Sequence, residues 1–146
     1  MVQTKQYLDM VQLSMTNLVS NVGVVAADVS GVGTAREGLA AVGYGSTGQA
    51  IFGYGKTGGA DTDVSMTNLV SNTGVVAADV SGVGTARRFL AAAIYGGDKA
   101  IFGYGATGSN VSMTNLVNNS GVVASDVTGV GTARAGLAAV GYSLSA

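Results

Sequence analysis

Six charged residues occupy equivalent positions in three copies of one pattern, and they are the side chains best placed for chemistry. In each copy an aspartate precedes an arginine by eight residues across a glycine-containing turn, in the pairs Asp28 and Arg36, Asp79 and Arg87, and Asp126 and Arg134. A structural interpretation has these groups fix the loop that leads into each unit, as an aspartate–arginine contact or as arginine donating to backbone carbonyls. The alternative is a ring of charges around a central channel that holds a ligand or an ion. We favour the structural role, since an unpaired buried charge is costly.

Catalysis has few residues to use in this chain. There is no histidine and no cysteine, which removes the usual general bases, thiol nucleophiles and thiolate metal ligands. A glycosidase-type carboxylate pair would have to come from acids outside the repeated pattern, namely Asp9, Glu37, Asp61, Asp63 and Asp98. These acids lie in or near links of variable length, which hold two carboxylates poorly at a fixed separation. We therefore predict that the protein is not an enzyme.

Two other sequence patterns point to ligands and are better explained by turns. The segments at 43–48, 53–58 and 103–108 all satisfy G-x-G-x-x-G, which binds dinucleotides when it joins a strand to a helix. Here the segments that follow resemble strands, so we interpret these residues as turn glycines and predict no cofactor. Asp61 and Asp63 lie in a glycine-containing loop, where two carboxylates are more often solvated than bound to calcium.

Five tyrosines lie beside glycines near the ends of predicted strands: Tyr44, Tyr54, Tyr95, Tyr104 and Tyr142. Exposed tyrosines in such places stack on sugar rings, which would make the protein a lectin-like module. The commoner role of such tyrosines is to cap a hydrophobic core while the hydroxyl group remains hydrated. These tyrosines are therefore candidate ligand or partner contacts, and glycan binding is the alternative function.

The elements that position these residues belong to a tandem repeat. Residues 14–36 recur at 65–87 with one change, Val22 to Thr73, and again with a few changes at 112–134. This pattern divides a single domain, 1–146, into an N-terminal segment, 1–13, and units of about 14–64, 65–111 and 112–146. Each unit contains four short strand-like runs joined by glycine-rich turns, such as "SNTG" at 71–74, so the sequence predicts an all-β fold.

Composition narrows the set of partners. The net charge is −1, only 10% of residues are charged, and the basic residues are scattered, which argues against a nucleic-acid surface or a polybasic membrane patch. No apolar run is long enough for a membrane-spanning helix, and the N-terminal residues lack the apolar centre of a signal peptide. A virion or the cytoplasm is the expected location.

The segment "GTAR-x-x-LAA…AIFGYG" resembles the kelch repeat, in which an arginine precedes the first strand and an apolar run ends in a glycine pair. Arg36, Arg87 and Arg134 occupy the arginine position, although the tryptophan typical of kelch blades is absent. The resemblance implies a β-propeller of four-stranded antiparallel blades, with a β-solenoid as the rival fold. The unit is also similar to repeats in bacteriophage and environmental-virus proteins, which implies a virion or tail component.

The block "AIFGYG" occurs only twice, at 50–55 and 100–105. If residues 2–11 form a strand that supplies the third copy, the chain contains twelve strands and three blades; a short helix over 1–12 is the alternative. Three blades do not close a ring, since propellers typically have four to eight. We therefore expect a homodimer that closes six blades, and a non-enzymatic structural protein. Its partners would be copies of itself, together with other particle proteins or cell-surface glycans.

Overall fold

A computed structural model describes residues 14–58 and 62–142 of the 146-residue chain. In these ranges there is no helix, and eight strands form three small antiparallel sheets, none of them closed. The strands are β1 (Ala40–Tyr44), β2 (Gln49–Gly53), β3 (Lys56–Thr57), β4 (Thr62–Asp63), β5 (Thr67–Val70), β6 (Ala91–Tyr95), β7 (Lys99–Ala106) and β8 (Asn110–Val117). The all-β prediction is confirmed, whereas the propeller and the solenoid both stay predictions. The strand or helix predicted within residues 1–13 lies outside the described residues.

Each repeat folds as an antiparallel meander. The first sheet has the order β1-β2-β5, and the bridges Val70↔Val76 and Thr67↔Val80 place a fourth segment beside β5. The second sheet, β6-β7-β8, continues in the same way through Val117↔Val123 and Thr114↔Val127. Residues 16–29 form an equivalent hairpin, with the bridges Thr16↔Val29 and Val19↔Val25. The described chain therefore holds two four-segment units and the last two segments of a preceding one.

The turn predicted at 71–74 closes the hairpin between the third and fourth segments. Gly74 has a φ of 81°, which favours glycine, and its N–H donates to the carbonyl oxygen of Ser71 over 2.9 Å. The hydroxyl of Ser71 accepts from the N–H of Val75 at 3.0 Å. Serine and glycine at these two positions thus satisfy local backbone groups and set the direction of the returning strand.

The glycines of the "GYG" segments lie in strands or just beyond strand ends, and the pair in β7 flanks a bulge. In β7 the pairing with β8 shifts register between Gly103 and Gly105, and the intervening Tyr104 has a φ of 61°. Tyr54 adopts the same conformation, with a φ of 63°. In β7 the bulge turns the Tyr104 ring out of the strand's alternation. The rings of Tyr54 and Tyr104 lie against Arg87 and Arg134 respectively.

The core lies between successive repeats. The first unit contributes Tyr44, Ile51 and Tyr54, and the second contributes mainly Phe102 and Val117 to the same cluster. The rings of Tyr54 and Phe102 have centroids 5.2 Å apart and planes inclined by 60°. Because neither unit encloses these side chains alone, stability depends on stacking one repeat against the next.

Equivalent backbone positions also connect the repeats directly. The N–H of Phe89 donates to Gly38 O over 2.7 Å, and the N–H of Gly136 donates to Phe89 O over 2.8 Å. Residues 38, 89 and 136 are therefore hydrogen-bonded in series, and this series sets the spacing of the three successive units.

Among the described residues, no helix is long and apolar enough to span a membrane.

Candidate interaction site

A buried polar site surrounds Arg87, whose side chain is completely buried. Its Nη2 donates to Asn115 Oδ1 over 2.7 Å, its Nε donates to Tyr104 O over 2.8 Å, and its Nη1 donates to Thr85 O over 3.1 Å. The guanidinium carbon lies 4.4 Å from the ring centroid of Tyr54. Every nitrogen of this buried cation thus has a partner, and the tyrosine ring covers its face.

Asp126 completes this site from the segment that pairs with β8. It accepts from the N–H of Thr85 at 3.0 Å and from the Thr85 hydroxyl at 2.6 Å. Asn115 donates to Asp126 Oδ1 over 2.9 Å and to Ala124 O over 3.0 Å, while Arg87 Nη1 lies 3.9 Å from the carboxylate. We call Thr85, Arg87, Asn115 and Asp126 the second node.

The same arrangement occurs one repeat earlier, in a first node formed by Thr34, Arg36, Asn68 and Asp79. Arg36 Nη2 donates to Asn68 Oδ1, and Arg36 Nη1 lies 3.5 Å from the carboxylate of Asp79. The N–H and hydroxyl of Thr34 donate to Asp79 over 2.9 and 2.7 Å. Here the arginine lies over the ring of Phe52, and its buried Nε has no hydrogen-bond partner in the described part of the chain.

A third copy of the node is present as two separate halves. Asn17 donates to Asp28 over 2.8 Å and to Ala26 O over 3.1 Å, so these two residues repeat the geometry of the inner asparagine–aspartate pairs. Arg134 lies over the ring of Tyr104 at 4.1 Å and donates to Thr132 O over 3.4 Å. Among the described residues, no arginine contacts Asn17 and Asp28, and no carboxylate contacts Arg134.

The electrostatics of both complete nodes favour a charged aspartate. Burial alone would raise the pKa of Asp126, but hydrogen bonds from Thr85 and Asn115 outweigh it and hold the pKa below its ordinary value. The pKa of Asp79 is lowered in the same way, by Thr34 and Asn68 acting against burial. Burial lowers the pKa of Arg87, although Tyr54 and Asp126 act in the opposite direction, and burial raises the pKa of Tyr54 to about 12.

These shifts predict a loss of stability in acid. An unfolded aspartate titrates near pH 3.9, and the folded-state pKa values of Asp79 and Asp126 lie below their ordinary value. Each carboxylate therefore stabilises the fold fully above about pH 4, and this contribution is lost as the pH falls through the folded-state pKa. Urea unfolding between pH 7 and pH 2.5 should show a smaller acid-dependent loss in the Asp79→Asn, Asp126→Asn double variant. Equal pH slopes for the variant and the wild type would contradict this assignment.

The pairing expected from the eight-residue spacing is not the one that forms. Each arginine contacts the aspartate of the following repeat, Arg36 with Asp79 and Arg87 with Asp126, rather than the aspartate eight residues earlier. The turn between Asp28 and Arg36 leads the chain into the next unit, so residues close in sequence separate. Thr34 and Thr85 are the node residues that sequence reasoning missed, and their recurrence in every repeat was the available signal.

The five predicted contact tyrosines differ widely in exposure. Tyr44 and Tyr54 are buried, and the hydroxyl of Tyr54 donates to Val83 O over 3.1 Å. Tyr95 and Tyr104 are half-buried, and Tyr104 donates to Val130 O over 3.0 Å. Tyr142 is 80% exposed. Buried rings have no face free for a sugar, so Tyr54 in particular serves the core between repeats.

The acids outside the repeated pattern do not converge on one site in the described residues. Asp63 contacts Arg88 over 2.6 Å, Glu37 lies 3.5 Å from Lys56, and Asp98 accepts from Asn119 over 3.1 Å. Asp9 and Asp61 lie outside the described residues. Within 14–58 and 62–142, no group of three or more acidic residues is arranged to hold a metal ion.

No family model fits the chain, and no curated protein is significantly similar to it.

Proposed function

We propose that this protein is a non-enzymatic structural protein that assembles with copies of itself. The observation that carries the proposal is a progressive change in exposure among equivalent residues of the repeats. Tyr44 is 5% exposed, Tyr95 is half-buried and Tyr142 is 80% exposed. The same side chain is thus buried where another unit covers it and exposed where none does, as expected for stacked repeats whose outer units need cover.

Other apolar residues of the two outer repeats follow the same trend. Val83, between two units, is half-buried, whereas its counterpart Val130 is 82% exposed. In the first hairpin, Val25 is exposed, whereas its counterparts Val76 and Val123 are half-buried. Apolar clusters of this kind on a protein surface mark interaction sites or aggregation hazards, and a second set of the same repeats has the shape and chemistry to cover them.

The assembly that we propose is a homodimer in which six four-segment units close a β-propeller. The meander of each complete unit supports this arrangement, since propeller blades are four-stranded antiparallel sheets. A head-to-tail dimer would cover both exposed faces with one type of contact. The resemblance to repeats of bacteriophage proteins makes a virion or tail component the setting that we propose.

Mass photometry and light scattering test this function. We expect an assembled species at micromolar concentration, with the mass of two chains. A stable, well-folded monomer across the accessible concentration range would overturn the proposed function. A species with the mass of three chains, or a ladder of assemblies of increasing mass, would show that the chain forms an assembly other than the closed dimer.

Glycan binding is the second candidate, and the exposed ring of Tyr142 is the observation that favours it. A glycan array and thermal shifts with simple sugars test this function directly. We expect both measurements to be flat. A sugar that binds the wild type, but not a Tyr142→Ala variant, would establish the lectin-like function instead.

A further inference from the structure

We propose that two copies of this chain join head to tail through one specific contact, in which Thr132 and Arg134 of one copy complete the Asn17 and Asp28 pair of the other. We call Asn17 and Asp28 the acceptor pair, and residues 131–134 the donor segment. The inference rests on the proposed function of self-assembly and names the surface that would carry it. The acceptor and donor halves lie on different repeats of one copy.

Both halves already have the geometry that they have in the complete nodes. The amide of Asn17 donates to Asp28 at 2.8 Å, as Asn68 and Asn115 donate to their aspartates at 2.9 Å. Arg134 lies over Tyr104 at 4.1 Å, as Arg87 lies over Tyr54 at 4.4 Å. Formation of the contact would therefore need little reorganisation of either half, which limits its entropic cost.

The burial of the node residues shows what the missing half does. Asn68 and Asn115 are completely buried beneath an arginine, whereas Asn17 is exposed. Arg36 and Arg87 are buried as well, and Arg134 is exposed. Bringing the two exposed halves together would turn a surface amide and a surface guanidinium into a node like the two inner ones.

Space for the acceptor carboxylate is present beside the donor segment. A Cβ atom built on Gly33 would lie 2.4 Å from Asp79 Oδ1, and one built on Gly84 would lie 2.3 Å from Asp126 Oδ1. At Gly131, the third equivalent glycine, the nearest atom is the hydroxyl of Tyr104 at 3.9 Å. Among the residues that the structure describes, none therefore fills at Gly131 the volume that an aspartate fills in the two complete nodes.

An apolar contact repeats beside the polar one. The side chain of Leu18 lies 2.3 Å from a Cβ position built on Gly74, and that of Leu69 lies 2.9 Å from the one built on Gly121. Leu116 is the next leucine in this series and is exposed, while no described residue lies within 4 Å of a Cβ position built on Gly23. A head-to-tail partner would place Leu116 of one copy against Gly23 of the other.

A second copy of this chain fits better than an unrelated partner. The donor segment belongs to "GVGTAR" at 129–134, which is identical to 31–36 and 82–87, so its chemistry matches an acceptor pair of the same repeat. One half presents a cation and the other a carboxylate, which supplies the charge complementarity of the interface. Within one copy, no hydrogen bond or ion pair in the described residues joins 16–29 to 129–142.

Complementation between two variants tests the contact. The Arg134→Ala variant lacks the donor arginine and keeps the acceptor pair. The Asn17→Ala, Asp28→Ala double variant lacks the acceptor pair and keeps the donor arginine. All three residues are exposed, so both variants should fold. Each variant alone should dissociate at roughly thirty-fold or more the wild-type concentration, as expected for truncating one side of a buried charge pair. An equimolar mixture should recover dimers, because each mixed dimer keeps one intact donor–acceptor contact. Lys99→Ala, which removes an exposed positive charge elsewhere, should assemble like the wild type.

Cysteine crosslinking locates the contact independently, because the chain has no cysteine of its own. A Gly23→Cys, Leu116→Cys variant should crosslink between chains with a short thiol reagent. The matched control, Leu18→Cys with Gly74→Cys, should crosslink within one chain, because those residues already touch.

The outcomes separate this inference from the proposed function. Dimers of Arg134→Ala as tight as the wild type, or crosslinks of the 23/116 variant confined to one chain, would overturn the head-to-tail contact while self-assembly stands. A wild-type protein that stays monomeric would overturn the proposed function itself.

Discussion

Replacing Arg87 with alanine is expected to lower the free energy of unfolding by about 3–5 kcal/mol, the usual cost of breaking a buried charge pair from one side. The change removes the hydrogen bond to Asn115 and leaves that buried amide oxygen without its donor. It also removes the cation beside Asp126 and the group that covers the ring of Tyr54. Urea unfolding followed by circular dichroism measures the loss.

The neighbouring arginine provides the control for this prediction. Arg88 is partly exposed and forms an ion pair with Asp63 at 2.6 Å. Surface ion pairs contribute about 0.2–1 kcal/mol, so Arg88→Ala should cost much less than Arg87→Ala. Equal losses for the two variants would show that the second node is not a major contributor to stability.

Replacing Gly105 with alanine is expected to destabilise the fold by about 2–5 kcal/mol, from two separate costs. Gly105 has a φ of 109°, a conformation that residues with a Cβ rarely adopt. The added Cβ would also lie 2.7 Å from the carbonyl oxygen of Arg88, a backbone atom that cannot move without disturbing the adjoining loop. Thermal and urea unfolding of the variant measure the combined effect.

Gly108 separates the two costs. Its φ of 97° is similar, but a Cβ built there has no atom of the described residues within 4 Å. Gly108→Ala should therefore show only the conformational cost of about 1–2 kcal/mol. If both alanine variants lowered the free energy of unfolding by the same amount, the close approach of Gly105 to Arg88 would contribute nothing to the cost of Gly105→Ala.

The sequence identified several residues of the candidate site but did not predict which arginine pairs with which aspartate. Recurrence identified Arg36, Arg87 and the aspartates as one set, and the cost of burying a charge indicated that they need partners. The spacing of eight residues suggested a local contact, whereas the actual ion pair joins Arg36 to Asp79, across a whole unit. This ion pair forms because three antiparallel turns fold the chain back and bring Asp79 beside Arg36. No local sequence pattern specifies that arrangement.

The sequence by itself determined the all-β class, the repeated unit and its turns, because period, glycine placement and β-branched runs act over a few residues. Tertiary structure alone decided which copies of a repeated residue are buried, since Asn17 and Asn115 lie in nearly the same local sequence and differ only in what covers them. Burial is a property of the neighbouring unit rather than of the residue. For the same physical reason, only the folded chain shows that Asn17, Asp28 and Arg134 are left exposed.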